Sequence, residues 1–406
     1  MDSAAQLWLQ NAPRLALQPH ADETSAYEHS VETTLVENEP PTLLNALLER
    51  TCNLQCRHCF FSEETSSGKA SRDAGLTDIL ENLVRQLAAQ HYPGRWSPAF
   101  VHEGRIVQPW HVELLARLQT VAPTVNYGLI DNGTYTKHLP RFKERNVTLD
   151  WIDISCDGTR ENHNLQRDPI RNESYDDVLK GLSNARQLTR TKEKGGRVTS
   201  LMTLTALNYQ DIPSVAQTVF TTDAITGLPL IDELHVSTIN PVRPENHRIS
   251  LQPEHLGAAF EDLQRVRNER NESIYFRIYH TPHLGMLANY VGAAAMREAF
   301  EHSTAHSHGI IVLPVKGVPV IYAPSSLWPA EGIFVDANGD QRVAYGQAHT
   351  LHQLQQPAHV HYTVQHLSAS SDLALAHEAN ARHWMKYFAP KFFDKELEVL
   401  RAVYQS

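Results

Sequence analysis

The sequence predicts an α/β fold: an open, partial (β/α)6 barrel of the TIM type, with an N-terminal extension and a small C-terminal β-rich region. Two patterns predict this fold. From residue 42 to residue 272, short β-prone runs alternate with longer segments of helical apolar spacing, as in a parallel sheet built from βα units. From residue 273 onward, β-prone runs broken by Gly and Pro replace this alternation.

Residues 1–41 form the predicted N-terminal extension. They are polar and end in "ENEPP", with one short predicted helix around "QLWLQNA". The segment lacks a basic head followed by an apolar run, so it does not resemble a secretion signal. We therefore expect a cytoplasmic protein, in which reducing conditions keep thiols free to bind metal.

Six strands are predicted in the barrel region, at residues 42–49, 97–103, 124–131, 149–156, 197–205 and 232–239. The predicted helices are residues 76–90, 109–121, 135–145, 174–190, 208–220 and 252–270. Because parallel crossovers are right-handed, six consecutive βα units should curl into an open barrel. Such a barrel gathers its ligands at the C-terminal ends of the strands.

The C-terminal region, residues 273–406, is predicted to be a small antiparallel unit that ends in a helix. The runs "GIIVLPVKGVPVIYAP" and "GIFVDANGDQRVAYGQ" are β-prone. Within the second run, "ANGD" at residues 337–340 predicts a hairpin turn, because Asn-Gly tolerates positive φ. The last helix is predicted at "LALAHEANARHWMKYF".

Composition argues against two kinds of partner. The chain has 406 residues and a formal charge of -10, which gives no electrostatic reason to expect nucleic acid or an anionic membrane. No stretch of the sequence approaches the roughly 18 apolar residues that a bilayer span requires. We therefore expect neither nucleic acid nor a membrane as partner.

Three of the four cysteines, Cys52, Cys56 and Cys59, lie in one polar loop, "TCNLQCRHCF", as a C-x3-C-x2-C motif. Structural zinc usually takes four ligands in two pairs, and here only His58 could complete a local set. Burial as three small hydrophobic side chains is the other simple interpretation, and the polar residues between the cysteines argue against it.

An iron-sulfur cube fits this spacing better. Separations of four and three residues let one loop reach three iron corners, which leaves the fourth iron open. An open iron can chelate a small ligand. S-adenosylmethionine (SAM) needs such a site, because its amino and carboxylate groups bind there while an electron enters the sulfonium.

The loop resembles the signature of the radical SAM enzymes, which carry C-x3-C-x2-C after the first strand of a partial (β/α)6 barrel. The resemblance implies a 4Fe-4S cluster on the three cysteines, SAM as cofactor, and a flavodoxin- or ferredoxin-type reductant. Residues 151–167, "WIDISCDGTRENHNLQR", are similar to a segment of the SPASM/twitch-type subgroup, which includes peptide maturases and sulfatase-maturing enzymes. By this resemblance Ser155 would contact the methionyl or ribose end of SAM. Arg167 would pair with the SAM carboxylate, to which a guanidinium donates two parallel hydrogen bonds.

Two more segments resemble SAM-binding motifs of the family. "GLIDNGT" at residues 128–134 is similar to a third-strand turn, which implies that Asn132 faces the ribose. "STINPVR" at residues 237–243 ends the sixth predicted strand, where family members receive the adenine, and this implies a role for Asn240.

The sequence departs from the family where second strands usually end in Gly-Gly-Glu-Pro. Here residues 100–109 read "FVHEGRIVQP", so Glu103 is the candidate acceptor for the SAM amino group, while His102 and Arg105 add bulk and charge. Alternatively, Glu103 only pairs with Arg105. The orientation of SAM on the cluster decides which of its carbon–sulfur bonds breaks. Two outcomes therefore remain: release of a 5′-deoxyadenosyl radical, and transfer of a 3-amino-3-carboxypropyl group.

A second departure concerns the auxiliary clusters that many members of the subgroup carry. The C-terminal region contains no cysteine, and Cys156 is the only thiol left outside the loop. An auxiliary cluster with several thiolate ligands therefore cannot be built. Cys156 lies on a predicted strand, where a buried packing role is expected.

The resemblance implies an enzyme that cleaves SAM reductively and starts radical modification of a peptide or small metabolite, in a natural-product pathway for example. The candidate substrate-side groups are His102, Arg105, Tyr127 and Arg243. The alternative from another class is a non-catalytic iron-sulfur binding or sensing protein.

Overall fold

Consecutive strands of the chain pair in parallel, as the predicted βα units require. The structure is a computed structural model that describes residues 43–46, 52, 54, 56–59, 74–89, 99–103, 107–167, 173–190, 196–223, 227–239, 246–270, 273–278, 281–302, 304–305, 311–322, 332–335, 341–343 and 347–349. The predicted N-terminal extension and the predicted last helix lie outside these residues.

The parallel part of the described sheet begins with seven strands in chain order. They are β1 (Leu43–Ala46), β2 (Ala99–Glu103), β3 (Asn126–Asp131), β4 (Trp151–Ser155), β5 (Arg197–Leu204), β6 (Glu233–Thr238) and β7 (Ile274–Ile278). Each pairs in parallel with the next. The predicted open partial barrel is confirmed, with β7 as a parallel strand beyond the six that the sequence predicted.

Strands from the C-terminal region extend both edges of this sheet. They are β8 (Thr304–Ala305), β9 (Ile311–Val315), β10 (Val318–Tyr322), β11 (Gly332–Val335), β12 (Gln341–Val343) and β13 (Gln347–His349). β10 joins β7 in parallel and pairs antiparallel with β9, while β11 joins β1 in parallel and pairs antiparallel with β12. The predicted turn at residues 337–340 falls between β11 and β12, outside the described residues.

Helices alternate with the strands along the chain. They are α1 (Ala74–Ala89), α2 (Pro109–Val121), α3 (Leu139–Glu144), α4 (Arg160–Arg167), α5 (Ser174–Ala185), α6 (Ile212–Val219), α7 (Pro253–Arg270), α8 (Thr281–Val291) and α9 (Ala293–Glu301). Among the described residues, no helix is both long enough and apolar enough to cross a bilayer.

The helix predicted at residues 135–145 is interrupted. It consists of a 3₁₀ turn, Thr134–His138, followed by α3, which has Pro140 in its first turn. Proline has no N–H to donate to a preceding turn, so it interrupts a continuous helix but fits in the first turn of a new one. The same effect accounts for α6, which begins at Ile212 with Pro213 in its first turn rather than at residue 208.

The two faces of the sheet differ in polarity. Successive residues of a strand point to opposite faces. Ile152 and Ile154 of β4 are fully buried, and Ile154 lies within contact distance of Gly181 in α5, so this outer face packs against helices. Asp153 lies on the opposite, inner face and is partly exposed. The inner face of β4 therefore begins with Trp151 and is polar toward the C-terminal edge, where the cysteine loop lies.

Candidate active site

The cysteine loop follows β1 in the chain, and its three thiols are half-buried. A turn joins two of them, because the Cys59 backbone N–H donates to the Cys56 carbonyl at 3.1 Å. The Leu54 N–H donates to the Cys52 Sγ at 3.4 Å, and the Leu54 side chain is buried. The loop thus has an apolar anchor while its thiols stay near the surface.

The three thiols lie close enough to interact electrostatically. Burial raises the pKa of the Cys56 thiol well above its usual range, the Arg167 guanidinium opposes this, and the neighbouring Cys59 and Cys52 thiolates raise the pKa further. Three thiolates so close together repel one another unless a cation lies between them. A bound iron-sulfur cluster provides that positive charge, so the donor set fits a 4Fe-4S cluster.

Within the described part of the chain, no three His, Cys, Asp or Glu side chains are arranged to hold a single metal ion. A 4Fe-4S cube does not require such convergence, because each thiolate binds a different iron.

The centre of the site is Asp157, two residues beyond the end of β4. Its carboxylate is fully buried and accepts hydrogen bonds from the Arg167 Nε and, at 2.6 Å, from the Thr203 backbone N–H. The Arg167 guanidinium and the nearby His58 hold the pKa of Asp157 below its usual value in spite of burial. Asp157 is therefore ionised and serves as the counter-charge of Arg167.

His58 connects this carboxylate to the cysteine loop. Its Nε2 lies 3.4 Å from the Asp157 Oδ2. Burial lowers the pKa of His58 to about 4, so the ring is neutral at physiological pH. At this distance the neutral ring contacts the carboxylate without a hydrogen bond between them. The imidazole thereby ties the loop to the end of β4.

A second set of bonds holds the loop backbone. The Arg57 N–H donates to the Gln166 carbonyl at 2.8 Å, and the Arg57 carbonyl accepts from Asn246 Nδ2 at 2.7 Å. The Gln166 side chain accepts from the Thr205 hydroxyl at 2.9 Å, and its amide donates to the Asp157 carbonyl at 3.2 Å. The loop is thus fixed to α4 and to the segments after β5 and β6.

Two of the predicted SAM-binding residues lie next to this network. Ser155 ends β4 and is buried, on the inner face with Asp153. Arg167 ends α4 and is 9% exposed, with its charge acting on Cys56 and Cys59. The structure thus places Arg167 beside the loop thiols and Ser155 at the C-terminal end of β4, two residues before Asp157. Their contacts with SAM stay predictions.

Asn132 lies in a tight turn at the C-terminal end of β3. Its Oδ1 accepts from the Thr134 hydroxyl at 2.8 Å and from the Thr134 N–H at 3.3 Å. The next residue, Gly133, has φ 93°. A Cβ on Gly133 would lie 2.2 Å from the Asp177 carbonyl oxygen of α5, so only glycine fits here. The turn places Asn132 at the same edge of the sheet as Ser155, and its role toward ribose stays a prediction.

Tyr127 does not reach the cysteine loop. It lies at the N-terminal end of β3, the opposite end from Asn132. Its buried hydroxyl donates to the Leu118 and Ala122 carbonyls, at 2.7 and 3.0 Å, at the end of α2. This geometry gives Tyr127 a packing role on the outer face, away from the strand ends at which ligands of such a fold gather.

The remaining predicted residues are described only in part. His102 and Glu103 end β2, which places their backbone at the C-terminal edge of the sheet, beside Leu129 and Ile130 of β3. Their side chains are outside the description, as are Arg105, Asn240 and Arg243 altogether. The predicted roles of these five residues stay predictions.

Cys156 is fully buried, and its Sγ lies 4.0 Å from the Gly158 carbonyl. Burial raises its pKa to about 12, so it is a neutral thiol. This environment matches the predicted packing role.

The sequence analysis missed the polar core beneath the loop. Asp157, His163, Gln166 and Asn208 are each at most 1% exposed. The Asp157 N–H donates to His163 Nδ1 at 3.0 Å, and its carbonyl accepts from Asn208 Nδ2 at 2.7 Å. Asp-Gly after a strand suggests only a turn, and α4 has no apolar face. The one available signal was a run of residues able to form several hydrogen bonds directly after a strand.

Comparisons with known proteins bear on the family and on the fold. Residues 48–219 match the model of the radical SAM superfamily. Among solved structures, Streptococcus suis SuiB has a TM-score of 0.52 and 12% identity, over 89% of this chain and 75% of SuiB, which supports the fold. SuiB bound to SAM has a TM-score of 0.49 and 12% identity, over 84% of this chain and 72% of its own. Native anSMEcpe with bound AdoMet has a TM-score of 0.49 and 14% identity, over 89% of this chain and 96% of its own. No curated protein sequence matches the chain.

The matched segment contains all three loop cysteines, Ser155, Asp157 and Arg167. Enzymes of this superfamily use a 4Fe-4S cluster and SAM. When bound, the reduced cluster supplies the electron that breaks a carbon–sulfur bond of the SAM sulfonium. Residues 48–219, which carry both the family match and the thiol site, are thus similar to the radical SAM enzymes.

Proposed function

We propose that this enzyme cleaves SAM reductively on a single 4Fe-4S cluster and starts radical modification of a peptide or small metabolite. Cys52, Cys56 and Cys59 would hold the cluster, and a flavodoxin- or ferredoxin-type protein would supply the electron. The expected compartment is the cytoplasm, where reducing conditions keep the loop thiols free.

One observation carries the proposal: Arg167 is held beside the loop thiols by Asp157. Asp157 engages the Nε edge of the guanidinium, so the two Nη groups stay available as donors. A guanidinium fork suits a carboxylate, and the SAM carboxylate is the ligand that the family resemblance assigns to it. Because Asp157 is buried and ionised, Arg167 keeps its orientation without a bound ligand.

Three other proposed SAM contacts, Glu103, Asn132 and Ser155, end or directly follow neighbouring strands. Ser155 would contact the methionyl or ribose end, and Asn132 the ribose. Glu103 would accept from the amino group, and Asn240 would lie beside the adenine. These strands end next to one another, because β2, β3 and β4 pair in parallel.

The test is the nucleoside formed after anaerobic reconstitution with iron and sulfide. Reconstituted protein is incubated with SAM and dithionite, and the products are separated and identified by mass spectrometry. The proposal predicts 5′-deoxyadenosine, which Cys56→Ala abolishes. Formation of 5′-methylthioadenosine in its place would show 3-amino-3-carboxypropyl transfer, and cleavage of SAM to neither nucleoside would contradict the proposal.

A further inference from the structure

A row of polar side chains crosses the inner face of the sheet below the proposed SAM site. Asp153 of β4 lies opposite Thr199 of β5, and Thr199 lies opposite Glu233 of β6. Residues paired in this way share a face of the sheet. His235 lies two residues further along β6 and contacts its own partner, Tyr275 of β7, with ring centroids 5.0 Å apart.

Two acceptor atoms in this row have no hydrogen-bond partner among the described residues, although the Thr199 hydroxyl acts on the Asp153 carboxyl group. The Asp153 Oδ1 is buried and has no partner among the described residues. The His235 Nε2 lies 2.8 Å from the Glu233 Oε2 and must donate to it, since a carboxylate only accepts. Burial lowers the pKa of His235 to about 4, so the ring is neutral and its Nδ1 is an acceptor, also without a partner. An ammonium group has three N–H donors, enough for both acceptors.

Acidic and basic side chains both lie along the described part of the row. Arg197 lies 3.5 Å from the Glu233 carboxylate. Arg277 of β7 lies opposite Ser237 of β6, on the same face of the sheet as Glu233 and His235, and its charge acts on both of these residues. Among the described residues, two carboxyl groups thus face two guanidiniums. A ligand that left this balance unchanged would carry one positive and one negative charge, with the negative group on a guanidinium.

The row also continues into the proposed SAM site. Asp153 and Ser155 are two residues apart on the same face of β4, which is about 7 Å along a strand. The charged members, Asp153, Arg197, Glu233 and Arg277, are partly exposed rather than packed in the core. In a closed eight-stranded barrel, layers of branched apolar side chains fill this region. The polar row of this open barrel is therefore not explained by core packing.

We propose that the polar row formed by Asp153, His235 and Arg277 binds the substrate through a free α-amino acid group, its ammonium on Asp153 and His235 and its carboxylate on Arg277. The inference rests on the proposed function and narrows it to small amino-acid-type metabolites. An internal residue of a peptide carries no such group, because both its amino and its carboxyl groups are in amide bonds.

The test uses reconstituted enzyme saturated with SAM, so that the amino acid group of SAM already has its own site. The probes are the twenty common L-amino acids, each with its N-acetyl derivative and its methyl ester, observed by saturation-transfer NMR. At least one free amino acid is expected to bind, and both of its derivatives to bind at least about tenfold more weakly, as expected from the loss of a charged hydrogen bond. Asp153→Asn should weaken the free amino acid by a similar factor, and the surface variant Asp176→Asn should not.

The comparison of a free amino acid with its two derivatives uses only the natural protein. It therefore tests the inference even if Asp153→Asn does not fold. Arg277→Lys is the second variant, and it should weaken the free acid more than its methyl ester. Binding of none of the twenty, equal binding of the N-acetyl derivative, or full binding by folded Asp153→Asn would overturn the inference. The electron paramagnetic resonance of the reduced cluster with and without SAM, measured on the same samples, distinguishes this failure from a failure of SAM binding itself.

Discussion

Arg167 donates its Nε–H to the carboxylate of Asp157, and this ion pair is buried between β4, β5 and the cysteine loop. The pair connects the residue proposed to hold the SAM carboxylate with the loop that holds the thiols, because His58 contacts the same carboxylate. Asp157 therefore positions two parts of the site at once. The bonds of its backbone to His163 and Asn208 fix it in turn.

Replacement of Asp157 by Asn should strongly destabilise the fold. The variant leaves the Arg167 guanidinium buried without its counter-charge, which costs about 3 to 5 kcal/mol of unfolding free energy. The matched control is Asp176→Asn, which breaks the exposed pair of Arg160 and Asp176 and should cost less than about 1 kcal/mol. Urea unfolding of both variants measures the difference. An equal loss of unfolding free energy in both variants would show that the buried pair stabilises the fold no more than the exposed pair does.

Each loop cysteine should be required for iron binding, and Cys156 should not. Cys52→Ala, Cys56→Ala and Cys59→Ala each remove one thiolate of the proposed cluster, so reconstitution should yield little stable iron. Cys156→Ala removes a buried neutral thiol and should leave the iron content and most of the turnover intact. Iron and sulfide analysis checks both. Loss of iron from folded Cys156→Ala would show that this residue takes part in the site.

Gly133→Ala should disturb the turn that holds Asn132. The left-handed backbone alone costs an L-residue about 1 to 2 kcal/mol, and the added Cβ would also meet the α5 backbone. Gly317→Ala is the control. Gly317 has φ 83° and nothing within 4 Å of its Cβ position, so this substitution has the backbone cost without a steric clash. The difference between the two thermal midpoints isolates the contact. If the two variants melt alike, α5 does not pack on this turn as described.

Stability should fall as the pH is lowered from about 6.5 to 4, in part because of His235. Its pKa is lowered to about 4 in the folded chain, against about 6.5 for an unfolded histidine. Between these values the unfolded chain binds a proton that the folded chain does not, so acid favours unfolding. From pH 7 to pH 5 this one group accounts for about 2 kcal/mol.

The measurement for this prediction is the change in unfolding free energy between pH 7 and pH 5, for the natural protein and for His235→Gln. Other buried histidines, such as His58 and His283, contribute equally to both proteins. The variant should therefore lose less stability in acid. An identical loss would mean that His235 is protonated in the fold.

Particular elements show what the sequence could predict. β4 and β5 were predicted to within two residues, because their alternating or continuous apolar runs are short and bounded by turn residues. α4 was missed because its buried side chains are His163, Asn164, Gln166 and Arg167, which have no apolar period. β7 was missed because Tyr275 and Arg277 face the polar interior, so the strand resembles an exposed segment.

The site was predictable where residue spacing is set by chemistry, as in the three cysteines. It was not predictable where the role of a residue depends on its position in the folded chain. Tyr127 lies on a strand next to an active-site turn, yet the direction of β3 places it at the far end. Asp157 lies within a recognised motif, but only the fold shows that its carboxylate connects Arg167 to His58.

The most direct test of the account is the electron paramagnetic resonance of the anaerobically reconstituted, reduced protein before and after addition of SAM, with metal analysis of the same sample. Three thiolates and an open iron predict a 4Fe-4S signal that changes when SAM binds, and about four iron atoms per chain. Zinc in place of iron, or a 4Fe-4S signal that SAM leaves unchanged, would contradict it.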